Sequence, residues 1–102
     1  MEITGKNFIG DKLSALGKVS YKTFDPLKNI ENEILFVEAT SLELEEAVAL
    51  ADAAFPIYRE LSGAQRTSFL NAIADEILNL GDALIDIYCR ETGLPQSRAK
   101  GE

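Results

Sequence analysis

The chain has 102 residues and a formal net charge of −7, with 46 % hydrophobic and 26 % charged residues. This composition is typical of one small soluble domain and excludes a disordered tail or a collagen-like repeat. The acidic excess repels phosphate backbones and anionic lipids, so we expect neither a nucleic-acid nor a membrane partner. The sequence has no His and one Cys, which excludes Ser-His-Asp and Cys-His catalysis, Cys-His zinc sites and an internal disulfide. Without a signal-peptide pattern, a reducing cytoplasm is the expected location.

Residues 1–40 carry the signals of short strands and turns. Three β-rich stretches predict strands over residues 7–9, 19–24 and 33–38. The pair Asp25 and Pro26 favours a turn, because Pro fixes φ and Asp offers a side-chain acceptor. We expect these strands to pair as hairpins.

The hydrophobic period changes from 2 to 3.6 near Thr40, so the rest of the chain is predicted to be helical. Thr40 and Glu43 form a capping-box pattern that begins the first helix, and Ser62 and Gln65 form a second one. Pro56 lacks an amide donor and clashes with the preceding turn, which predicts a kink or an early end of the first helix, with residues 58–61 forming its exit.

The second helix is predicted to run from about Ala64 to about Thr92. Its apolar stripe keeps its phase through Gly81, which favours one continuous helix. Gly93 and Pro95 predict its end, and Pro95 can also begin a third helix.

A second apolar stripe on this helix lies about 120° from the first, at 100° per residue. It consists of Ala74, Leu78, Gly81, Ile85 and Cys89. Exposing Leu78 or Ile85 to water costs about 1.5 to 3 kcal/mol each relative to burial. We therefore expect the chain to be part of a larger body or an obligate oligomer. The last residues have a helical pattern without a stop signal, so we expect a truncation at the C-terminus.

The motifs that could carry chemistry have simpler interpretations. The segment Gly5 to Lys12 resembles a phosphate loop, but Asp11 stands where Lys would follow the second Gly, so we predict a strand turn with a chance glycine spacing. Cys89 lies on an apolar stripe with no His to deprotonate it, which predicts a structural thiol.

The charged residues of the helices also have a structural interpretation. Because no second ligand-bearing segment reaches the acidic face of the second helix, we predict a solvated face. Arg59 and Arg66 are expected to pair with acids such as Glu60, with Arg66 alternatively bracing a neighbouring layer. We therefore predict no catalytic, cofactor-binding or metal-ligating residue within residues 1–102. The acidic face consists of Asp75, Asn79, Asp82 and Asp86.

Five groups of residues have a characteristic order and spacing: Phe8–Asp11, Thr23–Pro26, Ala53–Arg59, Arg66 with Phe69–Asp75, and Glu91–Pro95. Together they resemble the N-terminal part of the aldehyde dehydrogenase superfamily. Asp25 departs from the Asn that is commoner at its position. The tail, including Arg98 and Gly101 with Glu102, looks most like the branch that oxidises α-ketoglutarate semialdehyde (2,5-dioxopentanoate).

The resemblance implies an α/β parent fold of three αβα layers, with residues 1–102 as the N-terminal part of its cofactor-binding domain. Within them, residues 1–40 would form short strands and turns, and residues 41–102 two long helices and the start of a third. Their implied role is architectural, on the outside of that domain. The remainder of the chain would be the covering partner, and a homo-oligomer is expected.

The implied reaction is the NAD- or NADP-dependent oxidation of a small aldehyde to a carboxylic acid. In the family a cysteine thiolate attacks the aldehyde, hydride passes to the nicotinamide and a glutamate activates water. Those residues and the cofactor site lie beyond the position matching Glu102, so this segment alone is expected to be inactive and to bind no cofactor. Some members hold an alkali cation near the positions of Thr23, Phe24 and Glu91, and we assign no metal ligand on that basis.

A non-catalytic helical interaction module is the alternative. In that case the second apolar stripe would bind a helix of a partner protein.

Overall fold

The computed structural model describes residues 2–102. Short strands occupy the first part of the chain and helices the rest, as the change of hydrophobic period predicts. The strands are β1 (Asn7–Ile9), β2 (Lys12–Ser14), β3 (Ser20–Asp25) and β4 (Ile30–Val37). The helices are α1 (Ser41–Arg59), α2 (Gly63–Asn79), α3 (Gly81–Thr92) and α4 (Gln96–Gly101).

The first hairpin pairs β1 with β2 in antiparallel register, from Asn7 opposite Ser14 to Ile9 opposite Lys12. β1 has the predicted bounds, but sequence analysis missed β2. The signal was present in the two-residue link of Gly10 and Asp11, which is typical of tight hairpins. Gly10 has a φ of 60°, so the glycine that suggested a phosphate loop serves a strand turn, as predicted.

The second hairpin pairs β3 with β4, also antiparallel, with an irregularity in the register near Thr23. The predicted turn is confirmed, because Asp25 Oδ1 accepts hydrogen bonds of 3.0 Å from the amides of Leu27 and Lys28. β4 begins at Ile30, three residues earlier than the apolar pattern indicated. Cross-strand pairing with β3 extends it.

Both predicted capping boxes are present at the starts of α1 and α2. α1 continues through Pro56 and ends at Arg59, where Glu60 caps it, so the helix ends within the expected exit at residues 58–61 and not at Pro56 itself. A proline removes one amide donor from the helix. That loss does not prevent one further turn before the helix stops.

The predicted continuous helix over about 64–92 is also wrong. It is divided at Leu80 into α2 and α3, and Gly81 has a φ of 57°. A left-handed residue interrupts the α-helical ladder, and glycine adopts that conformation without steric cost. Residues 2–102 therefore contain three long helices and a short fourth, where two and the start of a third were expected. Gly93, with a φ of 71°, ends α3 as predicted.

The elements pack unevenly. α3 packs against β3 and α4, and α1 packs against β1, whereas α2 has no extensive packing partner within residues 2–102. The radius of gyration is 17.0 Å, against about 13 Å for a compact domain of this length. The described part of the chain is therefore an open arrangement, in which the hairpins and α3 form the best-packed region.

Candidate functional surface

The carboxylate of Glu43 joins the first turn of α1 to the segment after β2. It accepts a hydrogen bond from the Ser14 hydroxyl and one of 3.2 Å from the Leu16 amide. The other carboxylate oxygen accepts a hydrogen bond of 2.8 Å from the amide of Thr40, which completes the capping box. Glu43 has no solvent-accessible surface. The capping pattern predicted the local bonds, but nothing in the sequence indicated the bond to Ser14.

These donors stabilise the ionised form of Glu43. The hydrogen bond from Ser14 contributes most, followed by the amide of Thr40, and together with Leu16 they outweigh the opposing effect of desolvation. The pKa of Glu43 is lowered from 4.5 to about 2. This carboxylate therefore stays charged at neutral pH and cannot serve as a proton donor there.

A second buried polar cluster joins the β3–β4 hairpin to the end of α3. The Thr23 hydroxyl donates a hydrogen bond of 2.7 Å to Glu91 Oε1. The Asn32 side-chain amide donates to the Thr23 hydroxyl at 3.0 Å and to Glu91 Oε1 at 3.3 Å. Asn32 is only 7 % exposed, so its polar atoms depend on these partners.

The cluster brings together two positions that the family resemblance singled out for a cation in some members, Thr23 and Glu91. Here the two side chains contact each other directly. Within residues 2–102 no group of three or more His, Cys, Asp or Glu side chains is arranged to hold a metal ion. The sequence analysis did not identify Asn32, because it lies between Glu31 and Glu33 and outside the predicted strand, where no pattern indicates burial.

The remaining charged and thiol candidates lie apart from each other and from these clusters. Cys89 is a half-buried free thiol on α3. The members of the acidic face are exposed, in agreement with a solvated surface. Arg59 pairs with Glu60 at 3.4 Å, as predicted. Arg66 instead donates to the carbonyl of Leu61 at 3.2 and 2.9 Å.

The dominant feature of the structure is the apolar surface that it leaves exposed. Ile9 is the one large hydrophobic side chain that is buried within residues 2–102, while three polar side chains, Asp25, Asn32 and Glu43, are buried. The accessible surface is 8085 Å², whereas a compact monomer of this mass exposes about 5,700 Å². The excess of roughly 2,400 Å² has the size of an obligate interface.

Much of the excess lies on α1 and α2. On α1, Val48 and Phe55 are 60 % and 61 % exposed, although they share one face of the helix. On α2, Leu78 is 76 % exposed. The break at Gly81 divides the predicted second stripe, so that Leu78 stands on α2 while Ile85 is half-buried on α3. The expected uncovered apolar face is thus present, mainly on the first two helices.

The profile of the aldehyde dehydrogenase family matches residues 14–102 of the chain. The chain belongs to the aldehyde dehydrogenase family. It is 43 % identical over 103 aligned residues to alpha-ketoglutaric semialdehyde dehydrogenase 2 of Azospirillum brasilense, a match that covers 100 % of this chain and 20 % of that protein. It is 35 % identical over 101 residues to alpha-ketoglutaric semialdehyde dehydrogenase of Acinetobacter baylyi, covering 99 % of this chain and 19 % of that protein.

This aldehyde dehydrogenase segment thus spans about a fifth of the length of the curated relatives it matches. No solved structure matches it. Within residues 2–102, none of its helices has the length and apolar content needed to cross a membrane.

Proposed function

We propose that these residues form the N-terminal part of an NAD- or NADP-dependent aldehyde dehydrogenase that oxidises α-ketoglutaric semialdehyde to α-ketoglutarate. The observation that carries the proposal is the 43 % identity, across the whole chain, to a protein named for that substrate. The second relative, 35 % identical, is named for the same substrate.

Within that enzyme the segment has an architectural role. The proposal places residues 1–102 in the cofactor-binding domain of a three-layer α/β fold, with the apolar faces of α1 and α2 covered by the rest of the polypeptide. The exposed area of roughly 2,400 Å² beyond that of a compact monomer supports a large permanent contact. A cytoplasmic homo-oligomer remains part of this proposal.

The glycines near β1 and β2 have structural roles. Gly10 links the two strands, and a Cβ added to Gly5 would lie 2.0 Å from the carbonyl oxygen of Leu35. The proposal therefore places cofactor binding and catalysis on residues outside this segment.

The intact mass of the product made by the source cells tests the architectural part of the proposal. A mass several times 11.2 kDa is expected, and a mass of 11.2 kDa would contradict it. The complete protein should then reduce NAD or NADP when α-ketoglutaric semialdehyde is added, and comparing the two nucleotides gives the cofactor preference. Absence of aldehyde-dependent reduction with either nucleotide would exclude the proposed activity.

Cys89 provides a control within the same assay. Because the catalytic cysteine is proposed to lie outside this segment, Cys89→Ala is expected to retain activity to within a few-fold. A loss of a thousand-fold or more in a folded variant would place the nucleophile on α3 instead, and the proposed division of roles would be wrong.

A non-catalytic helical interaction module is the second candidate, and the exposed apolar surface of α1 and α2 is the observation that favours it. Such a module would use this surface to bind a partner helix. The substitution Leu78→Ser separates the two, because Leu78 is 76 % exposed within these residues. It should destabilise a folded enzyme, whereas a module would stay folded and lose its partner.

A further inference from the structure

Three side chains form a closed hydrogen-bonded triangle where the β3–β4 hairpin meets the end of α3. The Thr23 hydroxyl donates to Glu91 Oε1 at 2.7 Å. The Asn32 amide nitrogen donates to both of these oxygens, at 3.0 Å to Thr23 Oγ1 and at 3.3 Å to Glu91 Oε1. The irregular register leaves residues 32–34 of β4 opposite Thr23 alone. A bulge of this kind redirects a side chain, and Asn32 is the residue of this stretch that is buried.

The donor set of this triangle does not fit an alkali cation of the kind that some members of the family hold near the positions of Thr23 and Glu91. Hard cations are held by oxygen atoms. The atom that faces both side-chain oxygens here is an amide nitrogen. Its protons carry partial positive charge and repel a cation that would bridge the same two oxygens.

The carboxylate of Glu91 fixes the orientation of the Asn32 amide. Turning the amide by 180° would exchange its nitrogen and its oxygen. Two acceptors would then face each other at the 3.3 Å that now separates Asn32 from Glu91, an arrangement that is unfavourable unless a cation lies between them. The observed orientation and a bound cation are therefore alternatives, because each makes the other unnecessary.

We infer that the Asn32 amide takes the place of an alkali cation in this chain and is the positioning group that holds Thr23 and Glu91 together. A bound ion stabilises a fold only according to its concentration and affinity. A side-chain amide is present at every ion concentration. The junction between the β3–β4 hairpin and α3 is therefore independent of Na⁺ and K⁺.

Exchange of Na⁺ or K⁺ for choline in the complete protein, at constant ionic strength, tests this inference. The quantity measured is the rate of amide hydrogen exchange in β3 and β4. The wild-type rates should agree within about two-fold in the three salts, because no ion contributes to the triangle.

The variant Asn32→Asp should gain a dependence on the cation. It replaces the amide donor by a second carboxylate beside Glu91, and two adjacent carboxylates repel each other unless a cation binds between them. In this variant Na⁺ or K⁺ should slow exchange in β3 and β4 about ten-fold relative to choline. A merely structural role of Asn32 would accelerate exchange equally in every salt. Asn71→Asp, at an exposed position on α2, adds the same charge as a control and should behave as the wild type.

Three results would overturn the inference. Exchange in wild-type β3 and β4 that is about ten-fold faster in choline would reveal a bound ion. Exchange in Asn32→Asp that is the same in all salts would show that the amide does not stand in for a cation. Wild-type crystals grown in a thallium(I) salt cover the case in which the variant does not fold. No anomalous peak is expected between Thr23 and Glu91, and a peak there would be the third contradicting result.

These measurements are separate from the aldehyde assay. An active dehydrogenase with a thallium peak between Thr23 and Glu91 refutes the role of the Asn32 amide and leaves the activity standing. A protein with cation-independent exchange that does not oxidise the aldehyde refutes the activity and leaves the role of Asn32 standing.

Discussion

The Thr23 hydroxyl lies 2.7 Å from the carboxylate of Glu91, although 68 residues separate them in the chain. This contact fastens the β3–β4 hairpin to the end of α3, and Asn32 donates to both residues. The loop after β3 is held close to the same helix end, where a Cβ added to Gly93 would lie 3.1 Å from Pro26. The cluster thus links the strand region to the helix region, as Glu43 does through Ser14 and Leu16.

Loss of Glu91 is expected to loosen the hairpin. Glu91→Ala leaves the buried Asn32 amide with one partner fewer, which costs about 1 to 3 kcal/mol. Amide hydrogen exchange in β3 and β4 should accelerate by roughly one to two orders of magnitude. Thr23→Val should have a smaller effect, because Asn32 and Glu91 still bond to each other. Thr67→Val, at an exposed position on α2, is the control, and an equal acceleration there would contradict the role of the cluster.

Glu43 is expected to make the free energy of unfolding depend on pH in the acidic range. Its pKa is lowered from 4.5 to about 2 in the folded chain, so its contribution to stability is complete above pH 4.5 and is lost as the pH falls from 4.5 towards 2. Denaturant unfolding across this pH range should show a fall in the free energy of unfolding, and the fall should be smaller in Glu43→Gln. Glu45→Gln, an exposed neighbour on α1, should leave the pH profile unchanged. Identical profiles for the wild type and Glu43→Gln would refute the prediction.

Gly81 is expected to resist substitution even though no atom stands within 4 Å of an added Cβ. Gly81→Ala must hold a left-handed conformation at φ 57°, which costs about 1 to 2 kcal/mol. Gly63→Ala is the matched control, since it also has open space but lacks a positive φ. The control should be neutral or stabilising by up to about 1 kcal/mol. Thermal unfolding should give a lower melting temperature for Gly81→Ala than for Gly63→Ala. Equal melting temperatures would argue against the helix break.

Leu78 is expected to contribute to stability only in the complete enzyme, where the apolar surface is covered. In the 102-residue chain, where it is 76 % exposed, Leu78→Ser should change the free energy of unfolding by less than about 0.5 kcal/mol. In the complete enzyme the same change should cost about 2 kcal/mol or more, because a buried leucine loses its contacts. Thermal shift in both forms measures the difference. Asp75→Ser should be near neutral in each, and a near-neutral Leu78→Ser in the complete enzyme would show that this face stays open.

The fold was predictable where short-range bonding decides it. Thr40 with Glu43 and Ser62 with Gln65 fix the helix starts through bonds across three residues, and Gly93 ends α3 by its own backbone conformation. The exposed apolar surface was also predictable, because the helical spacing of the apolar residues shows which helix faces must be buried by another part of the protein.

The sequence by itself thus determined the order of strands and helices, the caps and the need for a covering body. Only the tertiary structure decided that Gly81 breaks the helix, that Glu43 reaches Ser14 and that Glu91 reaches Thr23. The apolar residues on the two sides of Gly81 follow the same helical spacing whether or not the helix breaks there. The position of a carboxylate in the sequence does not indicate which distant donor it will bond. The physical reason is that capping involves neighbours in the chain, whereas the choice among distant hydrogen-bond partners depends on how the whole backbone is arranged.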